Sequence, residues 1–406
     1  MDLAHWTFMV IDAVQRLPLW TTVVRKFCHQ YSDEYIRYHL FLLVIIAFGY
    51  YFNNFIIGPL LKQEVKVHLM EHWNASDVSL CGELPKSYFA LMVNKKPLIK
   101  KSQSNLQYLH FLSHQGKELS NTLSDYGLKI DLNCCALLDA FKDDQYDFTP
   151  LMGLSLQCAE MPEDSPITID YHLNKLANSL GGNFMDLKLA LTLSLEKDRN
   201  LVAKMQSLLK WSRNWRYCPS CATPLRMRIS KAAAFCVSCK KMYYPPLSPV
   251  AACLITDPNN TKALLIRHRG AENDVFTIVS GFAQIGESFE ETVRREVAEE
   301  IGIECKKISA IKASASWPVS YGSLMCGFVA VADPTEKAIF LMINVDEIES
   351  AIWFSRADIK NAFVQTKLNY LKNSRPVSSE RNVEECFTIP PEGSIAFQLI
   401  ERWLRF

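Results

Sequence analysis

Three glutamates in one short stretch could bind a metal ion. Glu296, Glu299 and Glu300 are spaced i, i+3 and i+4, and this spacing places their carboxylates together on one side of a helix. Like charges repel one another there unless a cation lies among them. Carboxylate oxygens suit Mg2+ or Mn2+, which commonly act on phosphate oxygens. The spacing therefore predicts a catalytic Mg2+ or Mn2+ site, and a solvated acidic face beside Arg294 and Arg295 is the alternative.

Four cysteines predict a second metal site. They form two CxxC pairs, Cys218 with Cys221 and Cys236 with Cys239, separated by fourteen residues. Each pair presents two thiolates to one ion, and two pairs complete a tetrahedral Zn2+ site. Because protein sulfur fills all four positions, no place remains for a reacting water. The spacing predicts one structural Zn2+ per chain, with redox chemistry as the alternative.

The glutamates need a helix to hold them. The segment 287–301 contains neither Gly nor Pro and follows a loop that holds Gly281 and Gly286. Ser288 is a suitable N-cap and Gly302 a C-terminal stop. Apolar residues recur every four positions and are expected to form the buried stripe of this helix. They are Phe289, Val293, Val297 and Ile301.

The whole stretch 281–303 follows one pattern. It reads Gly, five residues, Glu, seven residues, Arg-Glu, an aliphatic residue, one residue, Glu-Glu, one residue, Gly and an aliphatic residue. The fixed positions are Gly281, Glu287, Arg295, Glu296, Val297, Glu299, Glu300, Gly302 and Ile303. This pattern resembles the signature of the Nudix hydrolases. The resemblance implies an α/β (α+β) fold containing a Nudix α/β/α sandwich, and metal-assisted hydrolysis of a nucleoside diphosphate linked to another group.

The same resemblance implies roles for single residues. Glu296 and Glu300 correspond to the main metal ligands, and Glu299 to a further ligand or the general base. Arg295 and Glu287 correspond to an ion pair that fixes the helix against its loop. In such a site the metal neutralises the pyrophosphate and activates a bound water.

The order of segments narrows the resemblance to one branch. A zinc ribbon, then Tyr-Tyr-Pro at 243–245, then the Nudix pattern is similar to the NADH pyrophosphatases, which include enzymes that remove NAD caps from RNA. By this resemblance the backbone carbonyl of Ser280 and the Glu347 carboxylate add to the metal site. The residues expected at the substrate are Tyr244 and Phe282, which would sandwich a base, with Trp317 and Ala396.

Two departures from the branch leave the substrate open. The substrate segment around Trp317 has lost its usual Gln, first Pro and Phe, and Gln284 stands where Glu is common. The prediction is hydrolysis of NAD(H) or a related dinucleotide to nicotinamide mononucleotide and AMP. The alternatives are hydrolysis of other nucleoside diphosphate derivatives or of NAD-capped RNA, and an inactive nucleotide-binding or scaffold protein.

Composition describes a globular protein with one biased stretch. The chain has 406 residues, 49% hydrophobic and 21% charged, and a net charge of +1, which suits two or three domains with ordinary cores. Between Asp198 and Asp257 no acidic residue occurs. Ten basic residues fall inside this block: Arg199, Lys204, Lys210, Arg213, Arg216, Arg226, Arg228, Lys231, Lys240 and Lys241. Such a block suits an anionic ligand such as an RNA backbone, or forms a solvated surface.

The expected organisation has five parts. They are an N-terminal segment (1–37), a transmembrane or buried hydrophobic helix (38–62), a mixed α/β, Nudix-like N-terminal domain (63–210), a zinc ribbon (211–247) and a Nudix hydrolase domain (248–406). The membrane helix is predicted because residues 40–61 are 22 residues without a charge, long enough to cross a bilayer.

Location and assembly are expected from the same features. Metal-bound thiolates favour a reducing intracellular compartment. With the membrane helix, this predicts an anchored chain that faces the cytosol, and the mitochondrion is the alternative. The branch resemblance suggests a homodimer.

Overall fold

The protein is described here by a computed structural model. It covers residues 69, 74–101, 107–113, 118–141, 149–158, 169–271, 275–318, 322–334, 346–372 and 387–405. The N-terminal segment 1–37 and the predicted membrane segment 40–61 lie outside these residues. Within the described ranges, no helix combines the length and the apolar character needed to cross a bilayer.

The first part of the described chain contains a seven-stranded sheet. Its strand order is β3-β2-β1-β6-β5, with β4 beside β1 and β7 beside β2. The strands are β1 (Tyr88–Val93), β2 (Lys96–Lys101), β3 (Gln107–Leu109), β4 (Phe111–Ser113), β5 (Cys135–Phe141), β6 (Thr149–Leu156) and β7 (Asn183–Phe184). The helices are α1 (Asp77–Glu83), α2 (Glu118–Ser124), α3 (Ile169–Ser179), α4 (Leu187–Leu193) and α5 (Glu196–Asn214). The helices α4 and α5 follow one another directly and lead into the next part of the chain.

Both faces of this sheet are buried. Along β1, Phe89 and Leu91 enter one core cluster, while Ala90 and Met92 enter another. Successive side chains of a strand point to opposite faces, so each face has its own core. The second cluster includes one side of α5, and this long helix therefore covers the sheet before the chain leaves it.

A small three-stranded sheet follows α5. Its strands are β8 (Leu225–Met227), β9 (Ala234–Cys236) and β10 (Met242–Tyr243), in the order β10-β9-β8. The β8–β9 turn reaches the first sheet, where Leu137 N–H donates to the Ser230 carbonyl at 3.2 Å. Lys231 is 3% exposed, and its ammonium donates to the Leu132 carbonyl at 3.2 Å. The turn is therefore anchored by polar contacts across the two sheets.

A six-stranded sheet completes the described chain. The strands are β11 (Ser248–Thr256), β12 (Lys262–His268), β13 (Val279–Phe282), β14 (Lys307–Trp317), β15 (Ser323–Val331) and β16 (Ile348–Ser355). Their order in the sheet is β14-β15-β11-β12-β16, with β13 beside β11. The helices are α6 (Phe289–Ile301), α7 (Arg356–Lys372) and α8 (Ile395–Arg405). The pairing of β11 with β15 is parallel, and that of β11 with β12 and β13 is antiparallel.

Helices cover this sheet on both faces. Cys253 and Ile255 of β11 pack in the cluster that holds the apolar stripe of α6. Ala252 and Leu254 of the same strand pack in the cluster that holds α7 and α8. The sheet therefore lies between α6 and the other two helices, in the mixed α/β arrangement expected from the sequence.

Candidate active site

Helix α6 begins and ends where the sequence predicts. The Ser288 hydroxyl accepts a hydrogen bond from Glu291 N–H at 3.2 Å, and the Glu291 carboxylate accepts from Ser288 N–H at 2.7 Å. This reciprocal pair is a capping box, which satisfies two N–H groups that the first turn leaves free. At the other end Gly302 adopts φ 69°, a left-handed conformation that suits glycine.

The apolar stripe fixes the rotation of α6. Val293, Val297 and Ile301 are at most 1% exposed and pack against the six-stranded sheet, with Phe289 partly buried beside them. Because the stripe is anchored, the glutamates of the last two turns are directed to one edge of the helix. The predicted stripe is confirmed in all four positions.

Gly281 lets the glutamates reach the neighbouring strand. It lies in β13, paired with Ala251 of β11. A Cβ atom at this position would lie 1.8 Å from Glu296 Cδ and 2.0 Å from its Oε1. No side chain fits in that space, so glycine is required for the close approach of Glu296 to the strand. The requirement is one of space, since the backbone at Gly281 is not in the left-handed region.

Arg295 is the centre of the polar network. Its Nε donates to Glu287 Oε1 at 2.6 Å and its Nη2 to Glu287 Oε2 at 3.0 Å. Nη1 donates to Glu296 at 2.8 Å and Glu299 at 2.9 Å, and Nη2 also donates to the Phe282 carbonyl at 2.7 Å. The five bonds match the five N–H groups of a guanidinium. The Arg295–Glu287 pair therefore ties the helix to its loop, as the resemblance implies.

Glu287 is held in its ionised form. The hydrogen bond from Arg295 is the main cause, helped by Gln284 N–H at 2.9 Å and the Thr292 hydroxyl at 3.0 Å. Together these donors lower the pKa of Glu287 to about 2. Thr292 is fully buried and is a supporting residue that the sequence did not single out. Its position one helical turn after Ser288 was the available signal. The contact from Gln284 is made by the backbone, so its altered side chain leaves this bond intact.

Glu300 is the most deeply buried of the three glutamates. It is 5% exposed, and its Oε2 has no hydrogen-bond partner. Burial is the main cause that raises its pKa to about 8, and the nearby carboxylates of Glu296, Glu347 and Glu299 add to the shift. Burial also raises the pKa of Glu296, with Arg295 opposing it. A buried carboxylate oxygen without a donor, among other carboxylates, fits a divalent cation with hard oxygen ligands.

The carboxylates are less tightly gathered than the cysteines. Among the residues that the structure describes, only the four cysteines gather closely enough to form a group that could hold a metal ion, and their sulfur atoms lie within 4.8 Å of one another. Arg295 accounts for part of this difference, because it holds Glu296 and Glu299 toward itself. Repulsion between the carboxylates acts in the same direction.

The two other predicted metal ligands lie at the same edge of the sheet. Ser280 directly precedes Gly281 in β13. Glu347 is exposed in the turn before β16 and raises the pKa values of both Glu296 and Glu300, which places its charge near theirs. Glu347 also holds its turn against β12, because its carbonyl accepts from Arg269 N–H at 2.8 Å.

The predicted substrate residues fall into two groups. Tyr244 and Phe282 are exposed, at 67% and 46%, so their rings are accessible to a base. Trp317 is half-buried and packs against the core cluster between the first sheet and α5. Ala396 lies in α8, on the side of the helix that is buried in the core. The exposed pair can contact a ligand directly, whereas Trp317 and Ala396 face the protein interior in this structure.

The four predicted zinc ligands converge. The sulfur atoms of Cys218, Cys221, Cys236 and Cys239 all lie within 4.8 Å of one another. Cys218 Sγ is 3.5 Å from Cys239 Sγ, Cys221 Sγ is 3.4 Å from Cys236 Sγ, and none forms a disulfide. Tyr243 hydroxyl lies 3.1 Å from Cys218 Sγ. Four clustered free thiols with a soft donor set suit Zn2+.

Arg295→Lys is expected to loosen this site. Lysine carries three N–H donors in place of five and cannot form the planar pair with Glu287. We expect the free energy of unfolding to fall by about 1–2 kcal/mol, together with a loss of turnover. Urea denaturation followed by circular dichroism measures the first effect. Arg402→Lys, at an exposed position of α8, is the matched control and should leave both quantities unchanged. Equal stability of both variants would contradict the central role of Arg295.

Comparison with known proteins adds independent information. Residues 246–373 match the NUDIX domain. The chain is 44% identical over 340 residues to NAD-capped RNA hydrolase ndx-9 of Caenorhabditis elegans, covering 84% of this chain and 89% of that protein.

Two human proteins are also similar over shorter regions. One is the mitochondrial NAD(P)H pyrophosphatase NUDT13, 34% identical over 59% of this chain and 65% of that protein. The other is NAD-capped RNA hydrolase NUDT12, 30% identical over 52% of this chain and 42% of that protein. Of these three relatives, the nematode protein is the one whose match extends over more than four fifths of both chains.

Proposed function

This chain belongs to the Nudix hydrolase family, in the branch of the NADH pyrophosphatases and NAD-capped RNA hydrolases, and from that premise we propose that it hydrolyses the pyrophosphate bond of NAD(H) or a related dinucleotide. The products are nicotinamide mononucleotide and AMP. The observation that carries the proposal is the buried, partnerless carboxylate oxygen of Glu300 beside Glu296 and Glu299. A scaffold that had lost catalysis would have no need to retain this costly arrangement.

The carboxylates would hold the catalytic metal ions. We assign this role to Glu296, Glu300 and Glu347, with the carbonyl of Ser280, and the metal to Mg2+ or Mn2+ on the basis of the hard oxygen donors. Bound there, a divalent ion neutralises phosphate charge and lowers the pKa of a coordinated water. The reaction joins the water oxygen to one phosphorus and breaks the bond from that phosphorus to the bridging oxygen.

The chain's own residues have distinct tasks in this reaction. Arg295 and Glu287 hold the loop and helix together, because Arg295 donates both to the Glu287 carboxylate and to the Phe282 carbonyl of β13. Glu299 has a side chain that is 54% exposed and can contact water. We therefore propose Glu299 as a further ligand or as the general base. The exposed rings of Tyr244 and Phe282 would bind the base of the dinucleotide by stacking.

Trp317 and Ala396 stay predicted substrate residues, and their packing gives each a supporting role as well in this proposal. Trp317 ends β14 and packs against the cluster that includes α5, so it would hold the end of this strand against the first sheet. Ala396 is in the first turn of α8 and 4% exposed. Its small side chain would keep the start of α8 close to the six-stranded sheet.

A substrate panel tests the proposed function. NADH, NAD, ADP-ribose, a dinucleoside polyphosphate and NAD-capped RNA would be supplied to the full chain with Mg2+ or Mn2+. Phosphorus NMR would identify the products. We expect nicotinamide mononucleotide and AMP from NADH or NAD. If the protein hydrolyses only the other compounds, the assignment to NAD(H) is refuted. If it hydrolyses none of the compounds, the proposal that it is a hydrolase is refuted.

NAD-capped RNA is the second candidate substrate. The specific observation that favours it is the nearly full-length similarity to a nematode protein named as an NAD-capped RNA hydrolase. The same chemistry applies to both substrates, because the cap contains the same pyrophosphate bond.

The four cysteines have a structural role in this proposal. We propose that they bind one Zn2+ per chain, because all four positions are sulfur and none is left for water. A sheet of three strands with eight residues in total has a small core, and metal binding would supply folding free energy to it.

Location and assembly stay proposals with different support. A mitochondrial location is favoured by the name of the human NAD(P)H pyrophosphatase. The membrane anchor at 40–61 and the homodimer stay predictions from the sequence. The boundaries at 37, 62, 210 and 247 are likewise proposed domain limits.

A further inference from the structure

Seven of the ten basic residues between Asp198 and Asp257 fall into two groups in the structure. One group makes contacts within the protein. Arg213 donates to Ser155 at 3.2 Å, Arg228 pairs with Asp77 at 4.0 Å, and Lys231 is buried. The other group is exposed on or beside the three-stranded sheet: Arg216, Arg226, Lys240 and Lys241. These four charges need a separate explanation.

The exposed cations are not neutralised by described residues. Arg216 Nε donates to the Arg213 carbonyl at 3.1 Å, and Lys241 donates to the Ser220 hydroxyl at 2.9 Å; both acceptors are uncharged. No ion pair links any of the four to a described acidic residue. The chain from 199 to 256 contains no acidic residue. Four thiolates with one bound Zn2+ would contribute about −2 against the +4 of these cations, so the surface of this small sheet keeps a net positive charge that attracts anions.

One face of the three-stranded sheet combines a cation with apolar surface. Arg226 is opposite Phe235, and Phe235 is opposite Met242. Directly opposite residues in antiparallel strands lie on the same face. Arg226 and Met242 are exposed and Phe235 is partly exposed. The adjacent register pairs Leu225 with Cys236, so the metal-binding cysteine of β9 belongs to the opposite face. We name the three residues Arg226, Phe235 and Met242 the ribbon face.

The ribbon face adjoins the proposed base-binding residue. Tyr244 is two residues after Met242 and directly follows β10. Its ring is 67% exposed. Neighbouring strands are about 4.8 Å apart, so Arg226 lies about 10 Å across the sheet from Met242. A ligand that starts at Tyr244 could thus continue over an apolar surface toward a cation.

We propose that the ribbon face binds the single-stranded RNA that follows a 5′ dinucleotide cap. The proposal rests on the proposed hydrolase function and extends it to the body of the substrate. Phosphates would pair with Arg226 and with the exposed cations around it. Bases would stack on Phe235 and contact Met242, since any base offers a flat apolar face to an aromatic ring. A free dinucleotide is too short to use this surface.

The central test compares two substrates with Arg226→Glu. The substrates are NAD and an NAD-capped RNA of about 10 nucleotides, within the size range that small single-strand sites cover. We expect kcat/KM for the capped RNA to fall about tenfold, and the slope of its logarithm against log salt concentration to lose about one unit. For NAD, kcat/KM should be unchanged. Zinc content and thermal unfolding of each variant establish that it is folded.

Two further variants keep the test decisive. Lys307→Glu makes the same charge change at an exposed position of β14 and should leave the ratio of the two kcat/KM values as in the wild type. Arg226→Gln removes one charge without adding another, and replaces Arg226→Glu if that variant loses zinc. Arg226→Gln should lower kcat/KM for capped RNA by a smaller factor and leave kcat/KM for NAD unchanged. Low salt should restore kcat/KM for capped RNA.

Other results would overturn the inference. Equal losses on NAD and capped RNA would show a structural effect, and unchanged kinetics on capped RNA would show that the ribbon face is only a solvated surface. Binding of a 5′-monophosphate RNA of the same sequence, followed by fluorescence anisotropy, tests the surface without turnover. If the wild type binds this RNA but hydrolyses neither substrate, the proposed function fails while the RNA surface stands. If it hydrolyses NAD and Arg226→Glu binds RNA as the wild type does, only this inference fails.

Discussion

Glu300→Gln is expected to reduce hydrolysis of NAD(H) by roughly 10²–10⁴-fold, the range found when a group acting on charge or protons in the transition state is lost. The amide keeps the shape of the side chain but cannot supply the negative charge that a divalent ion requires. Steady-state kinetics with saturating Mg2+ or Mn2+ measures the effect.

In the absence of Mg2+ and Mn2+, the same substitution should stabilise the protein at neutral and higher pH. The pKa of Glu300 is raised to about 8, mainly by burial. At pH values between the ordinary glutamate pKa and 8, Glu300 is therefore protonated in the folded state and ionised in the unfolded state. Under these conditions the free energy of unfolding falls as pH rises. Gln cannot ionise, so it avoids this loss. We expect an advantage over the wild type of roughly 3–5 kcal/mol at pH 8 that disappears near pH 4.

The combination of the two effects identifies the role of Glu300. Substitution of a residue that only supports the fold would lower activity and stability together. Substitution of a charged ligand in a buried site should instead lower activity and raise stability, measured in protein that keeps its zinc but is dialysed free of Mg2+ and Mn2+. Glu290→Gln, at an exposed position in the first turn of the same helix, is the matched control and should retain wild-type turnover. Unchanged turnover in Glu300→Gln would refute its assignment to the metal site.

Gly281→Ala is expected to lower turnover by roughly 10²-fold, the effect of displacing a reacting group by about 1 Å. The added Cβ would lie 1.8 Å from Glu296 Cδ and 2.2 Å from its Oε2. Glu296 must therefore move, and its bond with Arg295 at 2.8 Å would be lost or rearranged. Because the atoms that clash belong to the end of a side chain, the fold should survive, and activity should fall more than stability.

Gly82→Ala is the matched control for Gly281→Ala. Gly82 lies in α1, and a Cβ there would meet nothing within 4 Å. Alanine stabilises a helix more than glycine does, so Gly82→Ala should be at least as stable as the wild type and fully active. Kinetics together with thermal unfolding would compare the two proteins. Wild-type kcat in Gly281→Ala would mean that the position of Glu296 is not critical for the reaction.

Several features of this protein were determined by the local sequence. The helix from 289 to 301, its Ser288 cap, its Gly302 end and its apolar stripe were all predicted, because each depends on residues within one or two turns. The gathering of four cysteines was predicted for the same reason, since each CxxC pair sets its own spacing and a β-hairpin brings the pairs together. The Nudix family was also evident from the fixed spacing of 281–303.

Other features depended on contacts between residues far apart in the chain. Ten basic residues between 198 and 257 form a single block along the chain, but packing against the first sheet buries Lys231 and leaves Arg226 in solvent. Trp317, which stays a predicted substrate residue, also packs against the cluster that includes α5, a long-range contact that the local sequence did not indicate. The need for glycine at 281 follows from its distance to Glu296, fifteen residues later.

The charge state of the site depends partly on the local sequence and partly on the tertiary structure. The order of residues determines that Glu296, Glu299 and Glu300 share one side of a helix, since helical spacing is a local property. It does not determine which of them loses contact with water. That depends on how α6 packs on the sheet and on the turn that carries Glu347, and this packing leaves Glu299 exposed while it buries Glu300 and raises its pKa. Desolvation is a property of the assembled interior, so only the tertiary structure could decide it.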